Sequence, residues 1–374
     1  MVTSAGSPAH RDTTAISCWA TASPYGLGAS AFRAGLMTKQ AAVRPLPEEL
    51  RAGGPHEEGG WVPDFDIKAV LGRKGTRSMD RLTALTVATV GMLLRSAGPG
   101  LAEDHPEAMG LVIGSGHGSV KSIMDFTKES MTSALPYHVD PGSVPNTVMN
   151  RAASQSAISH SIKGPNVTVS AGVLTGLIAL NYATALLRQR RAEAVLVGAS
   201  EEYSAQRSWL AQRADAGDGQ QTSGPLGEGS VLLLLEPASR AVAYGRPVLA
   251  EVVASRFTAF TEPEGAQRSL ARSVTGALQE ARASPDQVTL VVPSDRGGYL
   301  GDYENAALSA VLSDHRPQLV LTRALIGDMS AAAAAFQLAA ALVHANTGGL
   351  ALVTSVDPGG NAGCTLLRLP AASS

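Results

Sequence analysis

The sequence predicts an α/β protein in which duplicated βαβ halves stack into a layered α/β/α/β/α body. Three observations carry that expectation. Buried-strand patterns alternate with long helical patterns along the chain, as expected of parallel sheets covered on both faces. The order strand–helix–strand recurs with similar spacing near positions 169–196 and 321–352. The composition is 44% hydrophobic but only 4% aromatic, so small side chains fill the core and let layers pack closely.

In chain order, residues 80–97 read as an amphipathic helix and 110–114 as a buried strand ending in glycine. Val167-Thr168-Val169 is a β-branched strand, followed by a helix over about 174–190 and a strand at 194–198. Leu174, Leu177, Ile178 and Leu180 make that helix apolar on nearly every side, which places it in the interior. Arg188, Arg190 and Arg191 at its end complement the negative pole of the helix dipole. The second half reads as a helix at 267–282, a strand at 288–292, a strand at 319–321, an Ala-rich helix at 329–345 and a strand at 350–354. Residues 47–60 and 214–229 lack apolar periodicity and read as long loops.

Composition also excludes functions. A net charge of −2 gives no electrostatic reason to expect nucleic acid or a membrane surface as partner. Cys18 and Cys364 are too far apart in sequence to form a disulfide framework or metal cluster. They read as core thiols of a reducing compartment, so a cytoplasmic location is expected. The first 14 residues have no apolar segment of a secretory signal, and no apolar run reaches the length of a membrane span. Asn166-Val167-Thr168 fits a glycosylation sequon but lies in a strand pattern. Gly114-x-Gly116-x-Gly118 misses the dinucleotide fingerprint, because Ser119 follows it. Neither a cofactor nor a metal is expected.

More specific motifs follow one another in order. The opening stretch 22–45 contains the turn Ser23-Pro24-Tyr25-Gly26. Phe65-Asp66, Gly72-Arg73-Lys74-Gly75 and Met79-Asp80-Arg81 lead into the first long helix. Pro145-Asn146-Thr147-Val148-Met149-Asn150 and Lys163-Gly164-Pro165-Asn166 precede a central strand. Gly227-Glu228-Gly229, Leu235-Glu236 and Gly245-Arg246 come last. On these motifs the chain resembles the β-ketoacyl synthases of the thiolase superfamily over almost its full length. The resemblance implies a thiolase-like fold with an N-terminal half over 1–244 and a C-terminal half over 245–374.

It also implies a chemistry. In a ketosynthase a cysteine thiolate takes an acyl chain from a carrier protein. A malonyl unit then loses CO2, and its carbanion attacks the thioester. A helix N-terminus favours the thiolate. Two neutral imidazoles donate hydrogen bonds to the oxygen that becomes negative, and a lysine completes the site. The family's cysteine falls eight residues after the proline of the Gly-Pro turn, and that position here is Val173, followed by Leu174, Thr175 and Gly176. Thr175 is the nearest hydroxyl, with no histidine placed to activate it. The first histidine belongs to a His-Gly-Thr-Gly-Thr turn, matched by Pro293-Ser294-Asp295-Arg296-Gly297-Gly298. Ser294 or Pro293 takes its place, depending on a one-residue gap before Glu304. In the Lys-Ser-x-x-Gly-His stretch, Arg323 replaces the lysine and Asp328 the histidine. The closing Gly-Phe-Gly-Gly-x-Asn loop becomes Asp357-Pro358-Gly359-Gly360-Asn361. None of the eight histidines takes either position; His117, His138 and His160 read as loop or surface residues.

A kept framework with an emptied site resembles a chain length factor, the non-catalytic half of a type II ketosynthase pair. The resemblance implies a cysteine-bearing ketosynthase as partner in a heterodimer, and acyl carrier protein through the complex. It implies that Asn166, Val167, Thr168, Val169 and Ser170 form a central strand pairing across a twofold-like interface. It further implies that a helix over 121–131 lines the far end of the partner's acyl tunnel. There Ile123, Phe126 and Thr127 share a face by i, i+3 and i+4 spacing, while Met124 cannot join them all. That face is equally well explained as interface core. Two further alternatives stay open: a hydrolase or decarboxylase with relocated residues such as Ser294, Asp295 or Asp328, and an acyl-binding regulatory homodimer.

Overall fold

The computed structural model describes residues 12–98, 101, 105–218, 224–313, 315–345 and 347–371. Most of the N-terminal stretch read above for a signal, and residues 219–223 of the expected second loop, lie outside the described residues.

Ten strands form the body. The first half holds β1 (Thr14–Ser23), β2 (Met109–Gly114), β3 (Asn166–Val169), β4 (Ala194–Glu201) and β5 (Gly229–Pro237). The second holds β6 (Ala250–Ala259), β7 (Val288–Val292), β8 (Gln318–Leu319), β9 (Leu350–Asp357) and β10 (Asn361–Arg368). Their spatial orders are β3-β2-β4-β5-β1 and β8-β7-β9-β10-β6, the same arrangement twice. In each half three strands run parallel and the last two pairings are antiparallel. The sequence repeat is therefore a repeat of topology. The halves meet where Ala15 and Ile16 of β1 pair with Glu251 and Ala250 of β6.

Burial follows from the layers. Along β5, Val231, Leu233 and Leu235 face the central core, while Leu232 and Leu234 face an outer one. Along β9, Ala351 and Val353 face the centre, and Leu350 and Leu352 the opposite outer layer. Strands apolar on both faces need helices on both faces. Helices Arg81–Ala97 and Arg151–His160 cover one outer face, and Gly265–Ala281 and Gly298–Leu312 the other. Asp80 starts the first of these by accepting the Thr83 N–H at 2.7 Å.

Two helices fill the middle, Thr175–Arg188 and Ala333–Val343. Their close crossing requires small residues: a Cβ on Gly176 would lie 2.4 Å from the Ala335 nitrogen. The buried Gln337 is fully engaged. It donates to the carbonyls of Val292 (2.9 Å) and Thr354 (2.8 Å) and accepts from Ser355 (3.0 Å), tying the helix to β7 and β9.

The structure departs from the sequence expectations in four places. Residues 47–60 contain a turn of helix, Glu48–Arg51, and a short strand, Glu58–Gly59, paired with Arg44–Pro45. The start of the expected 214–229 loop continues the helix Ala205–Asp218. Of the expected 319–321 segment only Leu319 lies in a strand, Gln318–Leu319; Leu321 is already loop and exposed. The Ala-rich helix begins with a 3-10 turn at Ser330–Ala332 and ends at Val343.

Candidate functional site

The turn before the Thr175–Arg188 helix presents Val173, which is buried. Its N–H does not face an open site. It donates to Asp357 Oδ2 at 2.8 Å, while Asp357 Oδ1 accepts the Gly359 N–H at 2.7 Å. Gly172 has φ +56°, and a Cβ there would lie 1.9 Å from Asp357 Oδ2. Glycine is thus needed both for the backbone and for the carboxylate. Thr175, the nearest hydroxyl, is consumed within the turn: it donates to Gly172 O at 2.7 Å and accepts the Ala171 N–H at 2.8 Å.

The second half brings three further predicted positions to the same place. Val173, Ser294, Arg323 and Asp328 line one narrow cleft of about 10 Å³, room for no more than a water molecule, together with Arg296 and Phe336. Pro293 does not line it, so Ser294 is the residue that occupies this wall. The Ser294 hydroxyl donates to buried Glu304, whose other oxygen accepts the Ser294 N–H at 3.1 Å and the Thr354 hydroxyl at 2.6 Å. Burial, reinforced by Asp295, keeps the Glu304 carboxyl above the usual range despite those bonds.

Arg323 and Asp328 form an ion pair at 3.2 Å. Burial alone would raise the Asp328 carboxyl. The charges of Arg323, Arg296 and Arg207, with the Ser330 N–H at 2.7 Å, outweigh it and hold the group below its ordinary value. Arg207 is itself buried and braces the loop, donating to the carbonyls of Glu202, Gly227 and Asp328 and to the Ser330 hydroxyl. Asp328 is therefore a fixed anion, unable to serve as a proton donor near neutral pH.

The cleft lining contains no thiol, imidazole or amine. Cys18 and Cys364 lie elsewhere with thiols raised by burial, that of Cys364 to about 12. His117 is exposed, His138 lies in a turn against Tyr137, and His160 contacts the Val87 carbonyl at 3.0 Å. Two features of the cleft escaped sequence reasoning. One is the reach of Asp357 to Val173; its only signal is the Asp-Pro-Gly-Gly turn. The other is the arginine cluster around Asp328.

Comparison with known proteins identifies the family and the fold. Residues 12–241 match the N-terminal domain of beta-ketoacyl synthase, and residues 250–356 match its C-terminal domain. The chain belongs to the beta-ketoacyl synthase family. It is 27% identical over 354 residues to the tetracenomycin polyketide synthase ketoacyl synthase alpha subunit of Streptomyces glaucescens, covering 85% of this chain and 81% of that one. It is 23% identical over 340 residues to 3-oxoacyl-[acyl-carrier-protein] synthase 2 of Coxiella burnetii, covering 84% and 81%. Among solved structures, the ishigamide ketosynthase/chain length factor superposes with a TM-score of 0.86 at 35% identity, covering 96% of this chain and 99% of that one. The thiolase-like ketosynthase fold is thereby shown, and no described helix is long and apolar enough to cross a membrane.

Two outer elements of this beta-ketoacyl synthase family member bear on assembly. Strand β3 stands at the edge of the sheet, paired with β2 alone among the described residues. Within the chain it is thus an edge rather than a central strand, and Ser170 lies beyond its end. The expected helix is Val120–Thr132, and only Val120 is buried. Ile123 and Phe126 are half-buried, while Met124 and Thr127 are exposed. Leu135, Tyr137, Val144, Val148 and Met149 are also exposed.

Proposed function

We propose that this chain is the non-catalytic, chain-length-factor subunit of a ketosynthase pair. It joins a cysteine-bearing ketosynthase, shapes the acyl tunnel and helps set the length of a polyketide or polyene built from malonyl units on acyl carrier protein. The observation that carries this reading is the filled cleft. Where condensation needs a thiolate and two imidazoles, Val173, Ser294 and an Arg323–Asp328 ion pair stand together. The free edge of β3 and the apolar surface around Val120–Thr132 support pairing with a second ketosynthase-like chain. The likeness to a solved ketosynthase/chain length factor supports the same reading.

Co-expression with cysteine-bearing ketosynthases, followed by affinity purification and a condensation assay with malonyl-loaded carrier protein, tests it. A stable pair that elongates chains, with no elongation by this chain alone, is expected. Elongation or acyl release by the isolated chain would instead favour relocated chemistry. A homodimer that ignores every ketosynthase would favour an acyl-binding regulator.

A further inference from the structure

Val173 is one obstacle to acyl chemistry in the cleft; the hydrogen bonding of the turn is another. The N–H groups of Ala171, Val173, Leu174 and Thr175 are all taken, by Thr175 Oγ1, Asp357 Oδ2, Ala171 O and Gly172 O respectively. An acyl oxygen entering here finds each of these donors already engaged. The Val173 N–H points into the region ahead of a buried 14-residue helix, where the helix dipole favours negative charge. Asp357 supplies that charge from 184 positions away in the sequence. Asp357 is 8% exposed; its carboxylate is anchored from behind by the Gly359 N–H and fits because residue 172 is glycine.

We propose that Asp357 is a resident anion that closes the cleft to acyl groups independently of Val173. It takes the amide donor and the favourable field that would otherwise serve a thiolate or a developing oxyanion. The loss of chemistry is then built in twice, once by the missing thiol and once by the carboxylate. This deepens the proposed function by assigning the lock to a residue, and its test is separable. Failure to pair with a ketosynthase overturns the pairing and leaves the lock standing. An unlocked cleft overturns Asp357 and leaves the pairing standing.

The test places a thiol in the cleft as a probe. Val173→Cys, Val173→Cys/Asp357→Asn and Val173→Cys/Asp357→Ala are made in the full chain. Each is alkylated with iodoacetamide across a pH series, and modification of residue 173 is read by peptide mass spectrometry, apart from Cys18 and Cys364. With Asp357 present the thiol titrates above the ordinary cysteine value of about 8.5. Removing the charge in Asp357→Asn speeds alkylation near neutral pH by about ten-fold, the equivalent of about one unit of thiol acidity. Asp357→Ala, which also frees the amide, speeds it at least as much. Circular dichroism confirms the fold of each variant. Should the alanine variant not fold, the near-isosteric asparagine variant carries the comparison. A thiol in Val173→Cys that titrates at or below the ordinary value, or equal rates with and without the Asp357 charge, overturns the proposal.

Discussion

At the scale of single residues, buried carboxylates set the pH response. Glu202 is buried beneath two helix starts, accepting the Leu82 N–H at 3.2 Å, the Ser119 hydroxyl at 2.8 Å and the Lys121 N–H at 3.4 Å. Burial, with Asp80 adding repulsion, pushes its carboxyl up to about 7. An unfolded glutamate titrates near about 4.3. The folded chain therefore holds the extra proton between those values, and the contribution of Glu202 to stability is full below the unfolded value and declines as pH rises toward 7. Glu202→Gln removes the ionisation but keeps an acceptor. Its stability relative to wild type is expected to climb between about pH 4 and pH 7 and level off above, with about 4 kcal/mol as an upper bound. Melting curves of both proteins across that range check this; a constant gap at every pH contradicts it.

At the scale of elements, the Val120–Thr132 helix carries more apolar side chains than its own chain buries. It carries Ile123 and Phe126 on one face and Met124 beside it, yet only Val120 is buried, and a helix with an unburied apolar face needs a cover. Ile123 and Phe126 are half-buried, and the exposed Thr127 donates its hydroxyl back to Ile123 O at 2.8 Å. If this face walls the partner's tunnel, as the proposed function requires, bulk on it decides where the growing chain stops. Phe126→Ala is expected to lengthen the product and Thr127→Trp to shorten it, read by mass spectrometry of the reconstituted pair's products. Intact complexes with unchanged lengths would instead assign the helix to interface packing.

At the scale of the whole molecule, β3 leaves an edge that the five-layer body does not cover. Leu111 N–H bonds Pro165 O and Ser115 N–H bonds Val169 O. In parallel pairing this directs Val167 and Val169 toward β2 and the Thr168 backbone outward. The Thr168 hydroxyl is buried without a partner in the single chain. Proline at an edge removes only the outward N–H. Thr168→Pro is therefore expected to leave the fold intact by circular dichroism and to break the proposed pair, whose interface should exceed about 2,000 Å². Analytical ultracentrifugation of wild type and variant decides; an undiminished pair would place the contact elsewhere.

The sequence by itself determined the layered α/β class, the duplicated halves and the ketosynthase family. Strand and helix periods are local, and the spacing from Pro165 to Val173 is a count along one turn, so both survive in a linear reading. Only the tertiary structure decided which of Pro293 and Ser294 reaches the cleft, because a one-residue gap in a loop is resolved by Glu304 gripping Ser294 from the next helix. It alone showed β3 as an edge, since strand order depends on which strands pair rather than on the residues within one. It alone joined Asp357 to Val173, because a carboxylate at the end of one half meets an amide of the other only after the two central helices have packed.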